Sequence, residues 1–285
     1  MNAVDPRRVF RVLCGLAWMG CPSPSPIRAD ELPTFAGPAM GTVYRVTLAE
    51  ELPGMAQGEV HRDVEGVLAR LDRALSTWRA DSDASRFNRA AAGAWVEVAR
   101  ELVETVEIAR RVHADSGGAF DITCAAAGSG RPVGMRHLAT RSGPPALRKH
   151  VAGIAVDLGG IGPGYAVDAI GERLAELGSR SHLVELGGEV RAWGRRPGGA
   201  WRVALAGSGH VIELADGEAV ATASARPGRS PIDPRSGRVI DAAATSVSVR
   251  AATCAEADAW AVAAVVLGLP PGPDGTVEPP VRARP

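Results

Sequence analysis

Apolar residues recur at helical spacing over Val60, Val64, Val67, Leu68, Leu71 and Leu75, which predicts a helix ending near Ser76 and Thr77. A second helix is predicted over about 97–113, with Val98, Leu102, Val106, Ala109 and Val112 on one side; Ser116 and two glycines stop it. The polar run 79–88 between them reads as a loop. Residues 42–47 (TVYRVT) predict a strand after Gly41, and 151–158 another that runs into a glycine-rich stretch. A helix over about 165–177 follows, closed by Gly178. Short strands are predicted at 182–186, 189–193, 201–206, 211–215 and 219–222, separated by turn signals such as Asp216-Gly217. A strand at 245–250 leads to a helix of small residues over about 255–267. Residues 125–150 carry no long apolar pattern and read as the least structured stretch. The pattern predicts an α+β fold with largely antiparallel sheets and packed helices.

The chain's two ends depart from this pattern. Arg7, Arg8 and Arg11 precede an apolar run over 12–21, then a Pro/Ser spacer, the order of an export signal. The run is too short to span a bilayer. Gly20-Cys21 before the spacer also resembles a bacterial lipoprotein signal, with lipid attachment at Cys21. Residues 1–30 therefore read as leader and tether, 31–270 as the folded domain, and 271–285 as a loose, Pro-rich tail.

Composition narrows the function classes. The 285 residues hold 32 basic and 32 acidic side chains, a net charge of zero, with 4% aromatic residues. That balance argues against a nucleic-acid partner. Lys149 is the only lysine, so 31 of the 32 basic residues are arginine. Cys14 and Cys21 fall in the leader. Cys124 and Cys254 lie in the body, where either a single disulfide or two small buried thiols is open. The six histidines show no metal-ligand spacing, and His182 reads as structural.

Three segments carry candidate chemistry. In 155–168 a strand ends at Asp157, glycines follow, and a helix begins with Pro163 near its first turn. Such a helix start offers free N–H groups to a phosphate, but the glycines do not match the dinucleotide fingerprint. Asp258, a lone carboxylate in a helix of alanines and valines, needs a partner or a site; a hard cation such as Mg²⁺ suits it. Asp121 either receives hydrogen bonds from a ligand or caps a turn.

In order, these segments resemble the ApbE family of FAD:protein FMN transferases. The resembling pieces are Met40-Gly-Thr-Val-Tyr44, Leu75-Ser-Thr-Trp-Arg-Ala-Asp-Ser82 with Ser85-Arg-Phe-Asn88, and Gly118-Ala-Phe-Asp-Ile-Thr123. Then come Val156-Asp-Leu-Gly-Gly-Ile161 with Gly164-Tyr-Ala-Val-Asp168, Leu186-Gly-Gly-Glu-Val-Arg191, Ile232-Asp-Pro-Arg-Ser-Gly237 and Ala257-Asp-Ala259. The resemblance covers 38–268. It implies an enzyme that binds FAD and Mg²⁺ and transfers FMN to a threonine of an exported acceptor flavoprotein, releasing AMP. It implies an FAD site at Met40, Trp78, Ala119, Phe120, Asp121, Asp157 and Ile232, and a metal site at Gly160, Gly162 and Asp258.

The chain departs from the family pattern at four places. Pro163 stands where the family has lysine, Val262 where it has a metal-binding threonine, and Ser230 near its histidine. A Ser-Gly-Asp-Tyr stretch is missing after Thr222. Lys149 is not a sequence-level substitute for the lysine; Arg226 and Arg229 are the candidate replacement charges. Two outcomes stay open: an active transferase with altered ligands, or a degenerate member that binds flavin or a partner flavoprotein.

Overall fold

A computed structural model describes residues 32–124, 131–225, 230–240 and 246–279. The leader with Cys14 and Cys21, the candidate charges Arg226 and Arg229, and the last six residues lie outside the described ones.

The principal sheet starts with a hairpin. Strands β1 (Thr34–Ala39) and β2 (Thr42–Leu48) pair antiparallel with Ala39 opposite Thr42. Only Met40 and Gly41 turn the chain, at φ 48° and 79°. Two positive φ values at the centre of a two-residue loop match the right-handed twist of paired strands. Strands β3 (Trp95–Glu97), β4 (Leu138–Ser142) and β5 (Pro145–Lys149) form a separate antiparallel sheet, ordered β3-β5-β4. Strands β6 (His182–Leu186) and β7 (Glu189–Trp193) make a second tight hairpin beside β2. A two-stranded ribbon, β8 (Trp201–Ala204) with β9 (Val211–Leu214), follows. Then β10 (Ala219–Ser224), β11 (Ser246–Ala251) and β12 (Thr276–Val277) complete the seven-stranded sheet β1-β2-β6-β7-β10-β11-β12. Among the described strands, only β11 and β12 pair parallel.

Five helices are described: α1 (Gln57–Leu75), α2 (Asp83–Arg89), α3 (Arg100–Asp115), α4 (Gly162–Glu176) and α5 (Cys254–Leu267). Every apolar position predicted for the inward faces of α1 and α3 is buried. Apart from Glu256 and Asp258, helix α5 is apolar on every face because it is almost fully enclosed: it packs on β10 and β11, and against α3 and α4. Gly164 permits the α4–α5 contact. A Cβ there would come within 2.3 Å of the Cys254 carbonyl oxygen. A second apolar cluster, including Val190, Trp201, Ile212 and Val220, fills the space between the ribbon and the main sheet.

Four expectations are corrected. Of the stretch 125–150, read as the least structured, 125–130 lie outside the described residues, and 138–149 form the β4–β5 hairpin, whose alternation is masked by arginines on one face. Residues 151–158 pair in no sheet: 151–153 bend and turn, with Gly153 at φ 89°, and 154–158 are held by side chains. The loop over 79–88 contains α2, capped by Ser82, whose hydroxyl accepts the Ser85 N–H at 3.0 Å. The tail is ordered as far as β12, where Asp274 accepts the Thr276 N–H and hydroxyl.

Candidate functional site

The β1–β2 turn, the segment after α1 and the start of α4 converge on a cavity of about 500 Å³. Its lining includes Met40, Leu75, Trp78, Asp157, Gly162 and Pro163. Local hydrogen bonds shape the middle segment. The Ser76 hydroxyl accepts the N–H groups of both Trp78 and Arg79 at 3.3 Å. Arg79 bridges Asp81 at 2.8 Å and Asp72 at 3.3 Å. The Ser82 hydroxyl donates to the Ser76 carbonyl. The outcome is a Trp78 side chain 94% exposed at the cavity rim. An indole this bare has a large apolar surface available to a flat ligand.

Opposite lies Asp157, exposed, its Oδ1 accepting the Gly159 N–H at 3.0 Å. Its backbone is fixed without a sheet. Asn88 donates through Nδ2 to the Val156 carbonyl at 2.9 Å and accepts the Val156 N–H at 2.7 Å, as a neighbouring strand would. The Asp157 N–H donates to the Ile122 carbonyl at 2.7 Å. Lys149, 2% exposed, donates to the carbonyls of Asn88 and Ile154 at 2.8 and 3.0 Å. Burial pulls its ammonium below the usual lysine range. The one lysine therefore braces the segment behind Asp157 and does not line the cavity.

The α4 start differs from the expected phosphate cradle. Its Gly162 N–H is held by the Leu158 carbonyl at 2.7 Å, and its Gly164 N–H by Asp258 Oδ2 at 3.1 Å. Pro163 has no N–H at all. The helix end still presents its dipole, but its first-turn donors are spent within the protein. Among the described residues, the N–H groups of Leu158 and Gly160 are the loop donors without a hydrogen-bond partner, and Leu158 is buried.

Behind this loop are two buried carboxylates, Asp168 and Asp258, and the half-buried Glu189. Asp168 on α4 accepts the N–H groups of Cys254 and Ala255 at 2.9 Å each and pairs with Arg191 at 2.7 Å. It caps α5 and ties it to β7. Asp258, 5% exposed, has only the Gly164 N–H as hydrogen-bond partner among the described residues. Burial pushes its carboxyl up, partly offset by that bond. Glu189, at the start of β7, is pushed up by burial and by the Asp258 charge. Glu189 and Asp168 fall within the family-like motifs without standing out there as site residues; a charged residue among apolar neighbours is the one signal each gives in the sequence. Val262, one turn after Asp258, sets its Cγ2 against Gly160: a Cβ on that glycine would lie 2.9 Å from it. Among the described residues, no group of three or more His, Cys, Asp or Glu side chains is placed to hold a metal ion.

The remaining sequence candidates sit around this centre. Phe120 lies next to Gly160, its Cε2 being 3.5 Å from a Cβ built there. Ala119 and Phe120 are buried beneath the loop. Asp121 is buried and engaged locally: Oδ1 accepts the Thr123 N–H and hydroxyl at 2.8 and 2.6 Å, and Oδ2 the Met135 N–H at 3.3 Å. Ile232 is half-buried on a bridge to Val239, outside the cavity lining. Cys124 and Cys254 are free thiols. His182 is structural, stacked on Trp193 at 4.7 Å with Nδ1 bonded to the Ser179 hydroxyl at 2.9 Å.

A model of the ApbE family matches residues 40–279. The chain belongs to the ApbE family. It is 28% identical to the FAD:protein FMN transferase of Vibrio cholerae, over 87% of this chain and 84% of the relative. It is also 28% identical to that of Escherichia coli, over 92% and 86%. Its fold superposes on the apo flavinyl transferase ApbE of Pseudomonas stutzeri with a TM-score of 0.73 and 34% identity, covering 84% and 86% of the two chains. The V. cholerae ApbE structure gives the same score at 29% identity. The predicted mixed α+β fold is thus the ApbE fold. No helix among the described residues is long and apolar enough to cross a membrane.

Proposed function

We propose that this ApbE-family chain transfers FMN from FAD to a threonine hydroxyl of an exported acceptor flavoprotein and releases AMP. The carrying observation is the cavity that joins Met40, Trp78 and Asp157 from three distant parts of the chain beside the Gly160 loop. Met40, Leu75 and Trp78 offer an apolar and aromatic wall to the flavin, and the Gly160 N–H a donor to the pyrophosphate. The threonine oxygen attacks the phosphorus that carries the riboflavin moiety, the bond to the AMP phosphate breaks, and the hydroxyl proton leaves to a base.

The donor set fits a magnesium ion held mainly through substrate phosphates, with Asp258 as the carboxylate and the Gly160–Gly162 backbone beside it. Such an ion supplies charge neutralisation on the pyrophosphate. Asp258 suits a cation: it is desolvated and, among the described residues, has no basic partner.

A second reading is favoured by one contact. Val262 turns a methyl toward Gly160, and Pro163 brings neither charge nor donor. On that reading the chain binds flavin or the acceptor without transfer. Equilibrium dialysis with FAD and a parallel assay of AMP release separate the two. Binding with acceptor-dependent AMP supports the transferase; binding without AMP supports the second reading; no binding with Mg²⁺ present removes both flavin readings. The 1–30 segment is proposed to export the chain to the periplasm with lipid attachment at Cys21. Fatty-acid labelling that survives Cys21→Ser would refute the anchor.

A further inference from the structure

The 35 residues from Ile122 to Val156 contain four arginines and Lys149 but no aspartate or glutamate, in a chain of zero net charge. Elsewhere ten arginines, Arg79 and Arg250 among them, are ion-paired. Arg131, Arg136, Arg141 and Arg148 have no carboxylate partner among the described residues. The charge balance of the whole chain therefore hides a local excess of cations.

The small sheet organises that excess. Trp95 lies directly opposite Arg148, and Arg148 opposite Ala139. Arg141 falls two residues further along β4, on the same face. The guanidinium groups of Arg141 and Arg148 lie 5.1 and 4.7 Å from the Trp95 ring centroid. The indole remains 37% exposed. Arg148 Nε is buried with no hydrogen-bond partner. The opposite face, with Leu138 and Leu147, is turned into the core. Exposed Arg131, Arg136, His150 and Val151 flank the sheet.

We propose that this face docks on an anionic phospholipid bilayer. The cations match a surface of phosphates, and arginine, more weakly hydrated than lysine, pairs with phosphate oxygens in a planar fork. An amphipathic indole suits the headgroup level of a bilayer. The patch is a sheet face, so it meets a plane rather than enclosing a small anion. This reading is independent of the flavin chemistry.

The test is co-sedimentation of the full chain with phosphatidylcholine vesicles, with and without phosphatidylglycerol. The expected result is binding to the anionic vesicles only, reversed by salt. Arg141→Gln with Arg148→Gln should lower the partition coefficient on the order of thirtyfold, from about fivefold per basic residue near an anionic surface. Arg141→Lys with Arg148→Lys should keep most of the binding, which separates charge from misfolding. Equal binding to both vesicle types, or no change in the Gln pair, overturns the proposal. It is also overturned if the chain ignores anionic vesicles yet is retained on immobilised poly-glutamate in an Arg141- and Arg148-dependent way; the face then takes an acidic protein.

Discussion

Asp168 and Asp258 lie at the same α4–α5 junction, both buried, and their surroundings differ in a telling way. Asp168 has two backbone donors and an arginine, which offset part of the upward push that burial gives its carboxyl. Asp258 has one backbone donor and a second carboxylate, Glu189, in its field. A buried carboxylate with complete partners is a structural clasp. One with a single partner is a liability for the fold and needs a reason outside it. The contrast separates the part of the family framework that builds the fold from the part held ready for a ligand.

Breaking the clasp should have the largest effect on stability. Asp168→Ala strands Arg191 and two N–H groups, and should cost about 3–5 kcal/mol in urea unfolding. A loss below about 1 kcal/mol would deny Asp168 its structural role. His182 extends the comparison to a buried base. Its imidazole is pulled down to about 4 by burial, so the folded state stays neutral where the unfolded chain takes a proton. Stability should fall as pH drops from about 6.5 to about 4, by roughly 3 kcal/mol. His182→Gln should flatten that limb of the Tm profile; an unchanged profile would contradict the assignment.

Gly164→Ala probes the close approach that lets the two carboxylates share a junction. Its Cβ meets backbone at 2.3 Å, which should cost about 1–3 kcal/mol in thermal unfolding. Trp78→Ala should leave stability within about 0.5 kcal/mol, since the side chain packs on nothing. It should weaken FAD binding by about 1–3 kcal/mol if a ring stacks there, read by fluorescence titration. Unchanged affinity would place the flavin elsewhere.

Much of the framework was legible in the sequence. The apolar spacing of α1 and α3 and the turn-separated strands β6 to β10 needed only periodicity and punctuation. What escaped was structure made by side chains at a distance. Asn88 substitutes for a sheet neighbour at Val156, so a segment in no sheet read as a paired strand. Arginines on the outer face of β4 and β5 concealed a hairpin. Of the site, Met40, Trp78, Asp157 and Gly162 converge on the cavity, whereas Asp121 is engaged by its own loop. No local pattern could show that Gly164 spends its N–H group internally, because its partner is Asp258, 94 residues along the chain.

The most direct test compares the wild-type chain with Asp258→Asn in FMN transfer to a threonine-bearing acceptor, with FAD and Mg²⁺, read as covalent flavin fluorescence on the acceptor. The substitution keeps an oxygen for the Gly164 N–H and removes the charge, so the fold should be as stable or slightly more so. The account predicts labelling by the wild-type chain and a loss of about a hundredfold or more in the variant. Equal labelling by both, or none by the wild-type chain while the P. stutzeri relative labels the same acceptor, would contradict it.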